Sequence, residues 1–146
     1  MGKVNDILGS KGARKNSVFS VEPATIVYNA IEIMAEKNIG ALLICEGERL
    51  VGIFSERDYA RKIILKGKSS KDTTIGELMT KDPVTVKPES SVEDCMELMT
   101  SRRFRHLPVM EGSKVVGVIS ITDVVRHIID EQKSTISHLQ SYIAGQ

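Results

Sequence analysis

Apolar positions along the chain change their period in a fixed order, and the order occurs twice. Val27, Ala30, Ile31 and Met34 fall three or four residues apart, the spacing that lines one face of a helix. The run "ALLIC", a Glu-Gly turn and the run "LVGIFS" read as two short strands, and "ERDYARKIIL" reads as a second helix. A short β-like piece, "VFSV", leads into the first helix through a turn at Pro23. From "PVTV" and Pro88 the succession repeats: a helix on Val92, Cys95, Met96 and Met99, strands "HLPVM" and "VVGVIS" about a second Glu-Gly turn, and a helix "ITDVVRHIID". Each copy is therefore expected to be β-α-β-β-α, and the fold class α+β.

A shift of 65 positions aligns residues 21–61 with 86–126 without a gap. Identities include Pro23/Pro88, Val27/Val92, Met34/Met99, Gly52/Gly117, Ser55/Ser120, Asp58/Asp123 and Arg61/Arg126. One copy of about 45 residues leaves an apolar sheet face uncovered and is too small to be stable alone. Two copies are expected to pack sheet to sheet about a pseudo-twofold axis, which generates two equivalent clefts between them.

The expected organisation is an N-terminal segment (1–16), a first motif (17–66), a connecting loop and short helix (67–81), a second motif (82–130) and a C-terminal helical tail (131–146). The connecting "KGKSSKDTT" contains Gly67-Lys68-Ser69, but a phosphate-binding P-loop needs a glycine where Lys62 stands. In the tail, Val125, Ile129, Gln132, Ile136, Leu139 and Ile143 alternate spacings of four and three, a heptad stripe with one polar interruption. Such a stripe packs on something, and a homodimer through these tails, or through the helices after each Ser-x-x-Asp, is the expectation.

Composition narrows the function classes. Apolar residues make up 41% and charged residues 27%, ordinary for a globular protein. No run approaches the roughly 18 apolar residues of a membrane span, and the N-terminus lacks a secretory apolar core, so a cytoplasmic protein is expected. The formal net charge of +1 supplies no global field for nucleic acid, and three Phe and three Tyr offer few stacking platforms. Local charge is less even, because "TSRRFRH" gathers Arg102, Arg103, Arg105 and His106. A nucleic-acid-binding or protein-protein scaffold without a small-molecule ligand rests on this run and the tail stripe alone.

Cys45 and Cys95 both lie in core-like runs, far apart in sequence, and read as reduced core residues. His106, His127 and His138 have no metal-ligand spacing with each other or with the cysteines, and His127 and His138 read as solvated helix positions. No nucleophile has a base beside it in sequence, which argues against an enzyme.

The candidate chemistry sits where the second strand of each copy meets its second helix. Ser55-x-x-Asp58 is a helix-capping pattern, and "IGELMT" and "VEDCMELM" are opened by the comparable Thr74-x-x-Glu77 and Ser90-x-x-Glu93. Ser120-x-x-Asp123 repeats Ser55-x-x-Asp58 after the equivalent strand. A helix start presents unpaired amides and a positive dipole end to a phosphate. A carboxylate in its first turn can accept the hydroxyls of a ribose, as an acidic residue does in dinucleotide folds. Ser55 and Asp58 are thus able to cap a helix and to read a nucleotide.

Two copies of "LVGIFSERD" and "VVGVISITD", the second preceded by "RHLPV", resemble a tandem pair of CBS domains, the cystathionine β-synthase motif that forms a Bateman module. The resemblance covers residues 17 to 130. It implies regulatory binding of adenosine ligands such as AMP, ADP, ATP, NAD or S-adenosylmethionine in clefts shared by the two copies. Carried over by position, one site joins Ile53, Ser55, Arg57 and Asp58 to Val84, Phe104, Arg105 and His106; the other joins Val118, Ser120, Thr122 and Asp123 to Phe19, Ile39 and Gly40. The first has the greater positive charge and is expected to favour phosphate, with His106 either a phosphate ligand or a packing residue. The second is nearly uncharged apart from Asp123, with Arg14 and Lys15 within reach from the N-terminal segment. Such a module acts by passing its ligand state to a partner that the sequence does not name, or by sequestering nucleotide.

Overall fold

The computed structural model describes residues 2–10 and 19–145. In chain order the elements are α1 (Val4–Ser10), β1 (Ser20–Val21), α2 (Val27–Lys37), β2 (Ala41–Glu46), β3 (Arg49–Ser55), α3 (Glu56–Asp58), α4 (Ile75–Leu78), β4 (Thr80–Lys81), α5 (Val92–Ser101), β5 (His106–Glu111), β6 (Lys114–Ser120) and α6 (Ile121–Ala144). A π-helical stretch, Tyr59–Ile64, continues α3, with the Leu65 amide donating to the Ala60 carbonyl at 3.2 Å.

Each repeat is a hairpin under a helix. β2 and β3 pair antiparallel from Ala41↔Ser55 to Glu46↔Arg49, and β5 and β6 from His106↔Ser120 to Glu111↔Lys114, with the register slipping at the same place in both. Gly47 and Gly112 take φ near +60° at the two turns, the left-handed backbone that glycine adopts without a Cβ penalty. Leu42, Ile44 and Phe54 pack with Val27, Ala30 and Met34 in one core; Leu107, Val109 and Ile119 pack with Val92, Cys95 and Met99 in the other. Leu43 and Pro108 point the opposite way by strand alternation and are also buried, so both faces of each hairpin are covered.

The repeats differ at their first strand. β1 runs parallel to β2, helped by the Leu43 amide donating to the Phe19 carbonyl at 3.3 Å. Pro108 occupies the place of Leu43 and has no N–H, so the expected "PVTV" strand is reduced to a bridge at Val86↔Val109. The first sheet gains β4 on its other edge, giving the order β1-β2-β3-β4, while the second is the β5-β6 hairpin.

Short helices are exchanged between the repeats. α4, in the connecting segment, buries Ile75 and Leu78 in the first core, and α1, at the N-terminus, buries Val4, Ile7 and Leu8 in the second. The hydrogen bonds match: Ile75 and Gly76 amides donate to Thr25 and Pro23 carbonyls at 2.7 and 2.9 Å, and Val4 and Asn5 amides to Ser90 and Pro88, both at 2.8 Å. Glu77 Oε2 accepts from the Thr74 amide and Asp6 Oδ2 from the Lys3 amide, both at 2.9 Å, so each short helix carries its own acidic cap. Gly52 and Gly117 are small for this reason: a Cβ there would collide with Met79 or Leu8, the residue that each exchanged helix lays across the hairpin.

Two further sequence expectations change. The α5 cap is Ser91, whose Oγ accepts from the Asp94 amide at 3.0 Å, while Ser90 Oγ accepts from Lys87; the capping pattern is one residue later than Ser90-x-x-Glu93. His127 is not solvated: its side chain is only 13% exposed, because α6 lies against α1 and the ring faces Gly2.

Candidate functional site

β3 ends at Ser55 in extended backbone, and the next residues turn at once into helix. The Ser55 amide and Oγ donate to Asp58 Oδ2 at 2.9 and 3.1 Å, and Ser55 Oγ accepts from the Asp58 amide at 3.3 Å. Asp58 Oδ1 faces Lys62 Nζ at 3.4 Å. Ser120 and Asp123 repeat the box, with the Ser120 amide donating to Asp123 Oδ2 at 2.8 Å and the Asp123 amide to Ser120 Oγ at 3.1 Å. The structural reading of Ser-x-x-Asp therefore holds in both copies.

Beyond the cap, Ser55 and Asp58 open onto a cleft of about 470 Å³ between the repeats. Ile53, Ser55, Arg57 and Asp58 line it from the first repeat, and Val84, Phe104, Arg105 and His106 from the second. Val84 and Phe104 also pack against the second core, which fixes that wall. Gly40, assigned from sequence to the other site, lines this cleft: a Cβ on it would stand 3.5 Å from His106 Nε2 and 3.6 Å from Glu56 Oε1.

Cations outnumber the carboxylates of Glu56, Asp58 and Asp82 on the lining of the cleft. Arg61, Arg102 and Arg103 join Arg57 and Arg105 on its lining. The Arg57 guanidinium is pushed below its usual range, first by the charge of Arg61, then by burial, Arg105 and Arg103, with Asp58 opposing. Cations that repel one another in this way form a ready seat for an anion. Arg61 was not singled out from sequence, although its identity with Arg126 across the repeat was a usable signal.

Arg103 is held with φ of +59°, a left-handed conformation unusual for arginine. Asn38, its counterpart under the 65-residue shift, has φ of +55° as the C-cap of α2.

The other predicted set is arranged differently. Val118 and Ser120 end β6, Thr122 is exposed on the first turn of α6, and Asp123 closes the cap. Phe19 and Ile39 pack against the first core, and Lys37 Nζ sits 5.4 Å from the Phe19 ring centroid. Arg14 and Lys15 lie outside the described residues. A larger groove of about 820 Å³ runs between the two hairpin turns, where Glu48, Asp82 and Glu111 interleave with Arg49 and Lys87. No Ser-x-x-Asp helix start reaches it.

Among the described residues no group of His, Cys, Asp and Glu is placed to hold a metal ion. Burial raises the Cys45 thiol, half-buried beside Ser20, and pushes Cys95 up to about 11, so both are protonated at neutral pH. No helix among the described residues is long and apolar enough to cross a membrane.

The CBS-domain family profile matches residues 11–65 and 75–130. The chain is 40% identical over 148 residues to the mitochondrial CBS domain-containing protein CBSX3 of Arabidopsis thaliana, covering 97% of this chain and 72% of the relative. The structure of a CBS-domain protein from Burkholderia ambifaria MC40-6 matches with a TM-score of 0.85 at 46% identity, covering 89% of this chain and 96% of that one. CBSX2, a CBS-pair protein of Arabidopsis thaliana, solved in complex with AMP, matches with a TM-score of 0.72 at 27% identity, covering 90% of this chain and 99% of that one. With both repeats matched, each built as a hairpin ending in a capped helix, the chain belongs to the CBS-domain family as a tandem pair.

Proposed function

We propose that the cleft between the repeats binds an adenosine nucleotide, AMP, ADP, ATP or NAD, and that its occupancy regulates a partner protein rather than any catalysis. The observation that carries this reading is the pairing of opposite chemistries across one cleft: the Ser55/Asp58 helix start from one repeat and the guanidinium cluster around Arg105 from the other. Asp58 is suited to ribose hydroxyls, Ser55 and the arginines to phosphate, and Ile53, Val84 and Phe104 to a base. The AMP bound to CBSX2 supports the same ligand class. Val118, Ser120, Thr122 and Asp123, with Phe19 and Ile39, form the weaker or adenosine-only site in this reading, and Gly40 belongs to the first cleft instead.

Calorimetry with AMP, ADP, ATP, NAD and S-adenosylmethionine tests it. Micromolar binding is expected, weakened at least about tenfold, or about 1.4 kcal/mol, by Asp58→Ala. Arg105→Ala is expected to weaken ADP and ATP more than AMP. A folded protein that binds none of the five overturns the reading.

The assembly belongs to the same reading. Ile64 and Ile129, 61% and 47% exposed, occupy equivalent places on the helices after the two caps, and the α6 stripe continues from the second. A second copy of this chain offers the same heptad pattern and is the proposed occupant, giving a homodimer. A monomeric mass by light scattering at micromolar concentration would remove it. Cytoplasmic residence completes the proposal, with cell fractionation as its check; residence in an organelle, as for mitochondrial CBSX3, is the opposing outcome.

A further inference from the structure

We infer that Lys62 couples occupancy of the cleft to the connecting helix α4, as a positioning residue that pairs with Asp58 on the cleft lining and with the last carbonyl of α4. The inference rests on the nucleotide reading of the cleft. Lys62 Nζ donates to the Leu78 carbonyl at 2.8 Å and stands 3.4 Å from Asp58 Oδ1. Leu78 is the last residue of α4, and its end carbonyl, without an intrahelical donor, is satisfied by the Lys62 ammonium. Met79 follows beneath Gly52, and Thr80–Val84 form the wall of the cleft beyond it. One ammonium group thus ties the carboxylate that faces the ligand to the segment that closes the cleft.

The acceptor count makes the tie sensitive to ligand. A carboxylate has about four acceptor directions. Asp58 Oδ2 receives two donors, the Ser55 amide and Oγ, while Oδ1 carries only the ion pair with Lys62 at 3.4 Å. A ribose diol brings two donors to Oδ1, the oxygen that faces the Lys62 ammonium, and so competes with that ion pair. Binding therefore loosens the Lys62–Asp58 contact and leaves Lys62 with the α4 carbonyl. The 65-residue shift places His127 at the position of Lys62 in the second repeat, and its Nε2 lies 3.3 Å from Glu131 Oε1, so the two helix starts are wired differently.

Hydrogen exchange of residues 75–79, just outside the cleft lining, reads the coupling, with residues 102–108 as the report of binding. The wild type, Lys62→Met and Lys62→Arg are compared with and without ADP at concentrations that calorimetry shows to be saturating. In the wild type ADP is expected to change exchange in both regions. Lys62→Met is expected to keep the change at 102–108 and lose at least half of that at 75–79, and Lys62→Arg to restore it. An equal ADP-dependent change at 75–79 in wild type and Lys62→Met overturns the inference, as does a wild type that binds ADP without any change there. Absence of ADP binding to the wild type overturns the nucleotide reading and this inference together.

Discussion

Arg103 shows what the cleft costs at the scale of one residue. Left-handed backbone is unfavourable by about 1–2 kcal/mol for a side chain with a Cβ, and Asn tolerates it better than Arg. Asn38 occupies the same place in the first repeat, beyond α2, so the fold accepts asparagine there. Arg103→Asn is expected to raise unfolding free energy by about 1 kcal/mol in urea, within the range for relieved backbone strain. It is also expected to weaken ADP binding several-fold, because Arg103 contributes to the positive charge around Arg57. Stabilisation with unchanged affinity would take Arg103 out of the cleft's electrostatics and leave its conformation unexplained by ligand.

At the scale of elements, α1 contributes more than its seven residues suggest. Val4, Ile7 and Leu8 are 0%, 1% and 5% exposed, and they complete the second core. Ile7→Ala is expected to destabilise the protein by about 2–5 kcal/mol, the usual cost of truncating a buried aliphatic side chain. Denaturant unfolding measures it; a loss below 1 kcal/mol would mean that α1 is not anchored. The hairpins, the helices above them and the Ser-x-x-Asp starts were legible in sequence, because a single shift of 65 displays them twice. α1 was not, because "KVNDILGS" matches "TIGELMTK" only under a shift of 71, six positions out of register with the repeat. In the first cleft Ser55 and Asp58 were legible as a repeated cap, while Ile53, Arg57, Val84, Phe104, Arg105 and His106 were reached through the resemblance to CBS pairs, and all eight line it. Lys62 was not legible, because its second partner is a backbone carbonyl 16 residues away, and no side-chain pattern encodes that. Nor could the curtailed first strand of the second repeat be read until Pro108 was seen opposite the bridge that replaces it.

For the whole molecule, α6 divides into two halves with different duties. Val124 is fully buried and Ile121 and Ile128 pack on the second core, whereas every residue from Gln132 to Gly145 is exposed. A helix of that length is marginal in water without a partner. Truncation after Glu131 is expected to lower the mass in solution from dimer to monomer while changing the melting temperature of the repeats little. A truncated protein that stays dimeric would move the contact to the helices near Ile64 and Ile129. The reciprocal seating of α1 and α4 also says how such a chain comes apart. A half-length polypeptide of one short helix and one repeat lacks a lid for its own hairpin and carries the lid for its twin. Two halves cut within residues 65–72 would therefore find each other to be complete, and the tandem chain is that pair of mutually dependent fragments made permanent by a single covalent joint.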